Sequence, residues 1–541
     1  MQFPETMADT SVQSRKDTLD KDLDKLVHVG EAASFVSRGL VAPGLALLFL
    51  ALSAVIASLY VMGQPGAIVI VAAAAIGAYM ALNIGANDVA NNVAPAVGSK
   101  ALSIGGALAI AAVFETAGAL IGGAEVVATV SRGIIAPESV GQPNIFINAM
   151  MAALISSALW INLATWIGAP VSTTHSVVGG VMGAGIAAAG LWAVNWFTMS
   201  GIAASWIISP LLGGAIAALF LAFIKEAIIY QDDKIAAARR WVPVLIGIMG
   251  GAFAAYLAMK GLSRVIPMSG GQIAAVGVGV TLAVWALAHI QVRRASAGME
   301  NRNQSLRALF KMPLIFSAAL LSFAHGANDV ANAVGPLAAI VATVQANEVT
   351  GAVGIPLWVM AIGAVGISVG LVLFGPKLIR MVGQQITRLN PMRAFCVALA
   401  AAITVIVASA LGLPISSTHT AVGAVFGVGF FREWYTANSR RRKAYLERKV
   451  GRERQAKNGK RAAPAKVERA RDNDFEEDLP IGIAGYSFGV AGETSASGAE
   501  IARRKLVRRA HFTTIIAAWV ITVPAAALLS MLVFALLNLI G

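Results

Sequence analysis

Cysteine is nearly absent from this 541-residue chain. Cys396 stands alone inside an apolar run, which excludes an intramolecular disulfide and leaves a buried, inert thiol as the expectation. Charge is scarce as well: 13% of residues are Asp, Glu, Lys or Arg, against roughly 25% in soluble domains. Hydrophobic residues make up 57% and mean hydropathy is +0.72, so a water-soluble globular protein is excluded. No GxxxxGK[ST] loop occurs, so ATP-driven work is not expected. Residues 1–40 hold no short apolar segment ending in a cleavage site, so no signal peptide is expected either. What recurs instead are runs of about 20 apolar residues, the length that crosses a hydrocarbon core as helix. Glycine is abundant, with 54 residues, and points to helices packed through small side chains.

The formal charge of +14 does not indicate nucleic acid. Of the 42 Lys and Arg, 20 lie between Arg432 and Arg509, interleaved with Glu, Asp and Gly. That stretch has too few apolar residues to bury a core, and a solvated loop near anionic lipid accounts for it. No nucleic-acid-binding motif accompanies the charge, so no nucleic-acid partner is expected. Apolar spans are expected near 41–62, 67–97, 101–122, 147–168, 171–190, 204–224, 242–259, 272–292, 312–340, 355–376, 394–412, 414–431 and 513–540. Lys and Arg concentrate at the N-terminus, at 225–240, 293–311 and 377–393, and in the basic loop, which the positive-inside rule places in the cytoplasm. The connections at 191–203 and 341–354 contain neither and fit the outer face.

Two motifs occur twice. NIGANDVANNVA at 83–94 is matched by AHGANDVANAVG at 324–335, and APVSTTHSVVGGVMGAG at 169–185 by LPISSTHTAVGAVFGVG at 413–429. The first pair is offset by 241 positions (Gly85 to Gly326) and the second by 244 (Ser172 to Ser416). Counting crossings between the charge marks makes the two halves run in opposite directions, the signature of many secondary transporters with a site near the midplane. Asn87, Asp88 and Asn91, like Asn328, Asp329 and Asn332, stand at i, i+1 and i+4. An ionised carboxylate at membrane depth persists only with a partner, and a small hard cation held by carboxylate, amide and carbonyl oxygens is a natural one. Gly85, Gly326, Pro95 and Pro336 are expected to interrupt those helices and free such carbonyls. The blander reading is an Asn/Asp network that only locks helices together, and duplication favours the ion site.

Each second motif sets three hydroxyls after a proline, as at a helix N-terminus. Hydroxyls and N–H groups donate to a tetrahedral oxyanion, aided by the positive helix end. Ser172, Thr173, Thr174 and Ser416, Ser417, Thr418 could thus hold one anion between two opposed tips. Ordinary capping is the alternative for either copy alone. His175 and His419 are candidates for proton coupling, against the commoner role of donating to a neighbouring helix. Glu115 in VFETAG is a further intramembrane acid that pairs with a cation or with hydroxyls such as Thr116. No nucleophile, base and orienting acid stand at a catalytic spacing, so an enzyme is not expected.

GANDVANNVAPAVGSKALS, VFETAG, GAPVSTTHSVVG, HGANDVANAVGP and LGLPISSTHTAVG, in that order, resemble the inorganic phosphate transporter (PiT) family of sodium- or proton-coupled symporters. The resemblance covers about 67–430 plus the last helix. It implies an all-α polytopic membrane fold of about 12 core spans, with an inverted repeat of broken helices and two re-entrant hairpins, often as a homodimer. It also implies cation contacts at Asn87, Asp88, Asn91, Asn328, Asp329 and Asn332, and phosphate contacts at Ser172, Thr173, Thr174, Ser416, Ser417 and Thr418. Three departures mark this chain: Ala398 where animal members carry a glutamate, the extra helix at 41–62, and the late position of the basic insertion. The expected order is a cytoplasmic N-terminus (1–40), the extra helix (41–62), a first repeat (67–224), linking spans (225–311), a second repeat (312–431), the basic cytoplasmic loop (432–511) and a last helix (512–541) ending outside. The expected function is import of inorganic phosphate across the bacterial inner membrane, driven by Na+ or H+ with no other cofactor. A sulfate permease of the same family, a passive anion channel and a membrane phosphatase are the alternatives. On a Cys396→Ser background, a membrane-impermeant maleimide should label Trp192→Cys on intact cells and Gln304→Cys only after lysis; the reverse pattern would overturn the orientation.

Overall fold

The computed structural model describes residues 40–167, 171–349, 354–385, 389–445, 448 and 509–540. The N-terminus before Leu40 and most of the basic loop expected at 432–511 lie outside the described residues. The architecture is all-helical, as a lipid environment requires when every backbone polar group must be satisfied within its own segment. Among the described residues, β structure is confined to an isolated bridge between Ile135 and Val194.

In chain order the helices are α1 (Leu40–Val61), α2 (Ala67–Asn87), α3 (Ala90–Gly98), α4 (Ile104–Gly122), α5 (Ala124–Ala128) with a π-turn at Thr129–Gly133, α6 (Pro143–Ile167), α7 (Thr173–Ala189) and α8 (Trp196–Ile224). They continue with α9 (Lys234–Lys260), α10 (Gly270–Ala295), α11 (Asn303–Leu309), α12 (Lys311–Ala346), α13 (Leu357–Gln385), α14 (Pro391–Ala410), α15 (Ser417–Asn438) and α16 (Arg509–Ile540). Among the described residues, 11 segments are long and apolar enough to cross a membrane. The expected spans at 171–190 and 414–431 are not among them: α7 has only 17 residues, and α15 carries Arg432 and Glu433 in its last turns. Most other helices outrun the apolar stretches by several residues, because their ends carry polar side chains that hydropathy does not count.

Glycine sets how closely the central helices approach, and it does so in matched pairs. A Cβ on Gly85 of α2 would coincide with the carbonyl of Ile367 on α13, and one on Gly370 of α13 with that of Leu82 on α2. The counterpart contact runs between α12 and α4, where a Cβ on Gly326 would meet the carbonyl of Glu115 and one on Gly118 that of Phe323. The first helix of each half thus packs on the second helix of the other. Thr116 and Ser368, at matched positions, hydrogen-bond through their hydroxyls at 2.8 Å. The pattern repeats further out: Gly179 and Gly183 of α7 lie against the backbone of Val523 and Ala527 of α16, and Gly423 and Gly427 of α15 against Pro210 and Gly214 of α8.

The interruption expected in both first motifs is found in one. The chain leaves helical pairing at Asp88–Val89, between α2 and α3, whereas α12 runs unbroken for 36 residues through Asn328, Asp329 and Pro336. Pro95 lies inside α3 and does not end it. Gly85 and Gly326 therefore serve close helix approach, which needs no break. The added helix α1 rests on α13, with Phe49 over Gly366 and Tyr60 stacked on Trp358 at 5.6 Å between ring centroids.

Of the basic connections expected to share one face, 225–240 meets both 293–311 and the start of the late loop. Lys234 contacts Asn301 and Asn303, Arg239 donates to Ser296, and Arg441 and Arg448 reach Glu226 and Asp232 at 3.0 and 3.3 Å. Gly326→Ala should cost about 1–3 kcal/mol from overpacking alone. It should collapse the monodisperse size-exclusion peak of the purified protein, while Gly105→Ala, whose Cβ meets nothing within 4 Å, should leave it unchanged.

Candidate functional site

The hydroxyl-rich tips are helix N-termini, as the proline and Ser/Thr pattern predicts. Ser172 and Ser416 are the N-caps of α7 and α15, each accepting the backbone N–H of the histidine three residues on, at 3.2 Å. The helix pairs α6–α7 and α14–α15 bring these tips together: the Thr174 hydroxyl donates to the Ile415 carbonyl at 3.1 Å, and the His175 and His419 rings lie 4.8 Å apart.

Asp88 sits in the gap between α2 and α3 and faces both tips. Its Oδ2 accepts from the Thr173 hydroxyl at 2.7 Å and its Oδ1 from the Thr418 hydroxyl at 3.4 Å. Asp329 repeats half of this arrangement, accepting from the Ser417 hydroxyl at 3.1 Å, the position matched to Thr173. Asn332 donates to the Thr174 hydroxyl at 3.1 Å and lies 3.5 Å from that of Thr173. Asn328 grips the second tip from the side: its Nδ2 donates to the Ser409 hydroxyl and the Leu413 carbonyl at 3.0 and 3.1 Å, and its Oδ1 accepts the Ile415 N–H at 3.1 Å. The sequence suggested two cation cradles and a separate anion cradle; the structure interlocks their residues through shared hydrogen bonds.

Glu115 joins the cluster through a residue that the motif contained and the sequence argument passed over. His325 lies four positions before Asp329 and therefore on the same helix face. Its Nδ1 is 2.6 Å from Glu115 Oε2, and its Nε2 is 2.8 Å from Asp329 Oδ2, off the hydrogen-bonding angle. Asn92 donates to Glu115 Oε1 at 2.9 Å. The signal was available: Ile84 stands where the second copy has His325, a mismatch of greasy against titratable in an otherwise close repeat. Asn92 carried a weaker form of the same signal, standing where the second copy has Ala333, whereas Ser409 lies outside the repeated motifs and carried none. Asn87 ends α2 beside Asp88. Asn91 lies in α3, and its side chain is outside the described residues.

The acids, the imidazole and the second-half amides are buried, Asp88 at 4% exposure and Glu115, His325, Asn328, Asp329 and Asn332 at 1% or less. Ligating atoms of Asp88, His325 and Asp329 lie within 4.8 Å of one another. Among the described residues, Asp329 Oδ1 and Asn332 Oδ1 are buried acceptors with no hydrogen-bond donor. Unmet buried acceptors are rare in native proteins, and a hard cation satisfies oxygens of this kind. The Nδ1 of His175 lies 2.8 Å from the hydroxyl of Ser172, the cap of its own helix, and its ring 3.8 Å from that of Trp206.

A polytopic helical protein with carboxylates and paired hydroxyl-bearing helix ends buried at its centre belongs to the transporters. The sequence matches the phosphate transporter family over residues 84–530, and the chain belongs to that family. Among its relatives, a protein of Helicobacter pylori (strain ATCC 700392 / 26695) named "Putative phosphate permease" is 47% identical over 505 residues, covering 92% of this chain and 95% of the other. A Pyrococcus abyssi protein that carries the same description is 37% identical over 357 residues, 66% of this chain and 87% of its own. A solved structure titled "The sodium-dependent phosphate transporter" superposes with a TM-score of 0.70 at 31% identity, covering 87% of this chain and all of that one.

Asn328→Leu, which keeps side-chain bulk, should leave the Leu413 carbonyl and the Ile415 N–H unmet. Each unmet group costs about 1–3 kcal/mol, so the melting temperature of the purified protein should fall by several degrees. An unchanged melting curve would show that the grip on the second tip contributes nothing.

Proposed function

We propose that this protein imports inorganic phosphate by alternating access, driven by Na+. The observation that carries the reading is Asp88, whose carboxylate accepts hydroxyls from both tips at once. A Na+ ion held by Asp88, Asp329 and the amide oxygen of Asn332 competes for the lone pairs on which Thr173, Thr418 and Ser417 now rest. Those hydroxyls then turn to donate to a phosphate between the N-termini of α7 and α15, where the helix dipoles add to the attraction. Cation and anion thus bind better together than apart, because the same hydroxyls cannot serve both carboxylate and phosphate. That competition is a physical basis for symport.

Two further observations support the choice of ions. The two acceptors left without a donor among the described residues, Asp329 Oδ1 and Asn332 Oδ1, are oxygens, as Na+ prefers, and the similar solved structure is titled as sodium-dependent. Monobasic phosphate also carries protons that a buried carboxylate can accept in a hydrogen bond, whereas sulfate can only accept, and Asp88 and Asp329 face the proposed anion position. The matched glycine contacts support two halves of inverted topology, with α16 completing the second half as α8 completes the first, so that the basic loop is an insertion within that half. We place the protein in the plasma membrane with the basic connections in the cytoplasm.

In liposomes of the purified protein, labelled phosphate should accumulate under an inward Na+ gradient and not under a pH gradient alone, with excess sulfate a weak competitor. Accumulation under the pH gradient alone would overturn Na+ coupling, and block by sulfate would overturn the substrate. Asp88→Asn and Asp329→Asn should each abolish driven uptake with normal expression, and Thr173→Val should raise the phosphate KM about tenfold or more. Uptake retained by both aspartate variants would reject the cation site.

A further inference from the structure

The α9–α10 pair belongs to neither repeated half, and α10 lies along α9 with most of its surface turned outward; Leu282 and Leu287 are 60% and 68% exposed. Between this pair and the helices that carry Glu115 and His325 lies a groove of about 360 Å³. Its walls are one face of each helix at helical spacing, including Met249 and Phe253 of α9, Leu287 and Gln291 of α10, and Met312 and Phe316 of α12. Phe114 of α4 closes its deep end, 6.4 Å from Phe253 between ring centroids, and Phe253 is in turn 5.0 Å from Phe323. A groove this size is large enough for a drug-sized apolar ligand.

The groove opens toward the basic end of α10. A second cavity, of about 570 Å³, shares Leu287 and Gln291 with the first and is bounded by Arg294. Arg293, Arg294 and Lys311 are exposed, and none of the three contacts an acid among the described residues. The two arginines suit the last turn of α10, where a cation offsets the helix dipole. Lys311 has no such local reason, because it stands at the first position of α12, the end at which a cation is disfavoured. An apolar slot with Arg294 on the adjoining cavity and Lys311 next to its lining residue Met312, both without an acidic partner among the described residues, has the chemistry of one kind of ligand.

We propose that this groove is a binding site for one anionic phospholipid of the phosphatidylglycerol type. An acyl chain lies between α9–α10 and α4–α12, and the headgroup phosphate lies on Arg294 and Lys311. Bound there, the lipid packs the linking pair against the two helices that hold Glu115, His325 and Asp329.

The full-length protein, purified in detergent and depleted of lipid, would be titrated with dioleoyl-phosphatidylglycerol or dioleoyl-phosphatidylcholine, with occupancy read by native mass spectrometry and stability by thermal melting. One phosphatidylglycerol per chain should be retained at least tenfold more strongly than phosphatidylcholine and should raise the melting temperature. Arg294→Gln with Lys311→Gln should reduce retention to the phosphatidylcholine level, and Ala288→Phe, which fills the groove, should abolish retention of both. Equal retention of the two lipids by the wild type, or an unchanged preference in the double glutamine variant, would overturn the proposal. Neither readout depends on transport, so the lipid site and the symport mechanism stand or fall separately.

Discussion

A carboxylate inside a helical bundle of this hydropathy is costly, and the centre of the molecule is arranged to satisfy Asp88. Its two oxygens take hydroxyls from opposed helix ends, Thr173 of α7 and Thr418 of α15, so that one side chain ties a break in α2–α3 to the tips of both hairpins. Asp88 is the one carboxylate that accepts from both tips among the described residues. Asp329 plays the matched part for Ser417, and the Asn328 and Asn332 amides complete the seam. Among the described residues the network leaves two oxygens without a donor, on Asp329 and Asn332, beside the carboxylates. A structural knot that existed only to lock helices would have no reason to leave acceptors open there.

Such a seam requires the helices that carry it to come very close, and glycine permits this. The contacts of Gly85 with Ile367 and of Gly326 with Glu115 put backbone against backbone one turn away from the aspartates. Packing of this kind does not deform gradually. A methyl group at either position would have to displace a main-chain carbonyl, and the aspartate three residues on would move with it.

The two halves are alike in packing and unlike in chemistry. Where the second half has His325, bridging Glu115 and Asp329, the first has Ile84. The first half breaks its helix at Asp88 and the second does not break at Asp329. A duplicated scaffold thus supplies two similar carboxylates, and local differences give them different surroundings: Asp88 answers to hydroxyls from both tips, Asp329 to one hydroxyl and an imidazole. The segment before the second tip has its own anchor: Lys260, paired with Glu125 at 2.8 Å, donates to the Ala410 carbonyl at 3.5 Å, and the Thr129 hydroxyl donates to the Gly412 carbonyl at 2.7 Å.

Much of this was determined by the sequence alone. Apolar runs specify spanning helices because lipid offers no other partner for the backbone, and the PVSTTHS and PISSTHT stretches specify helix starts because the free amides of a first turn need hydroxyl acceptors nearby. Duplication marked Asp88, Asp329 and the hydroxyl triplets as belonging together. Tertiary structure decided the rest. That Asp88 bonds to a tip from each half, that His325 reaches Glu115 across 210 positions of chain, and that Asn92 and Ser409 bond into the same cluster are facts of distance between helices remote in sequence. The break expected at both motifs occurs at one, because a helix with glycine or proline in it breaks only where its surroundings satisfy the freed groups. Local pattern sets what a segment can form, and the neighbours it meets decide which polar atoms face each other.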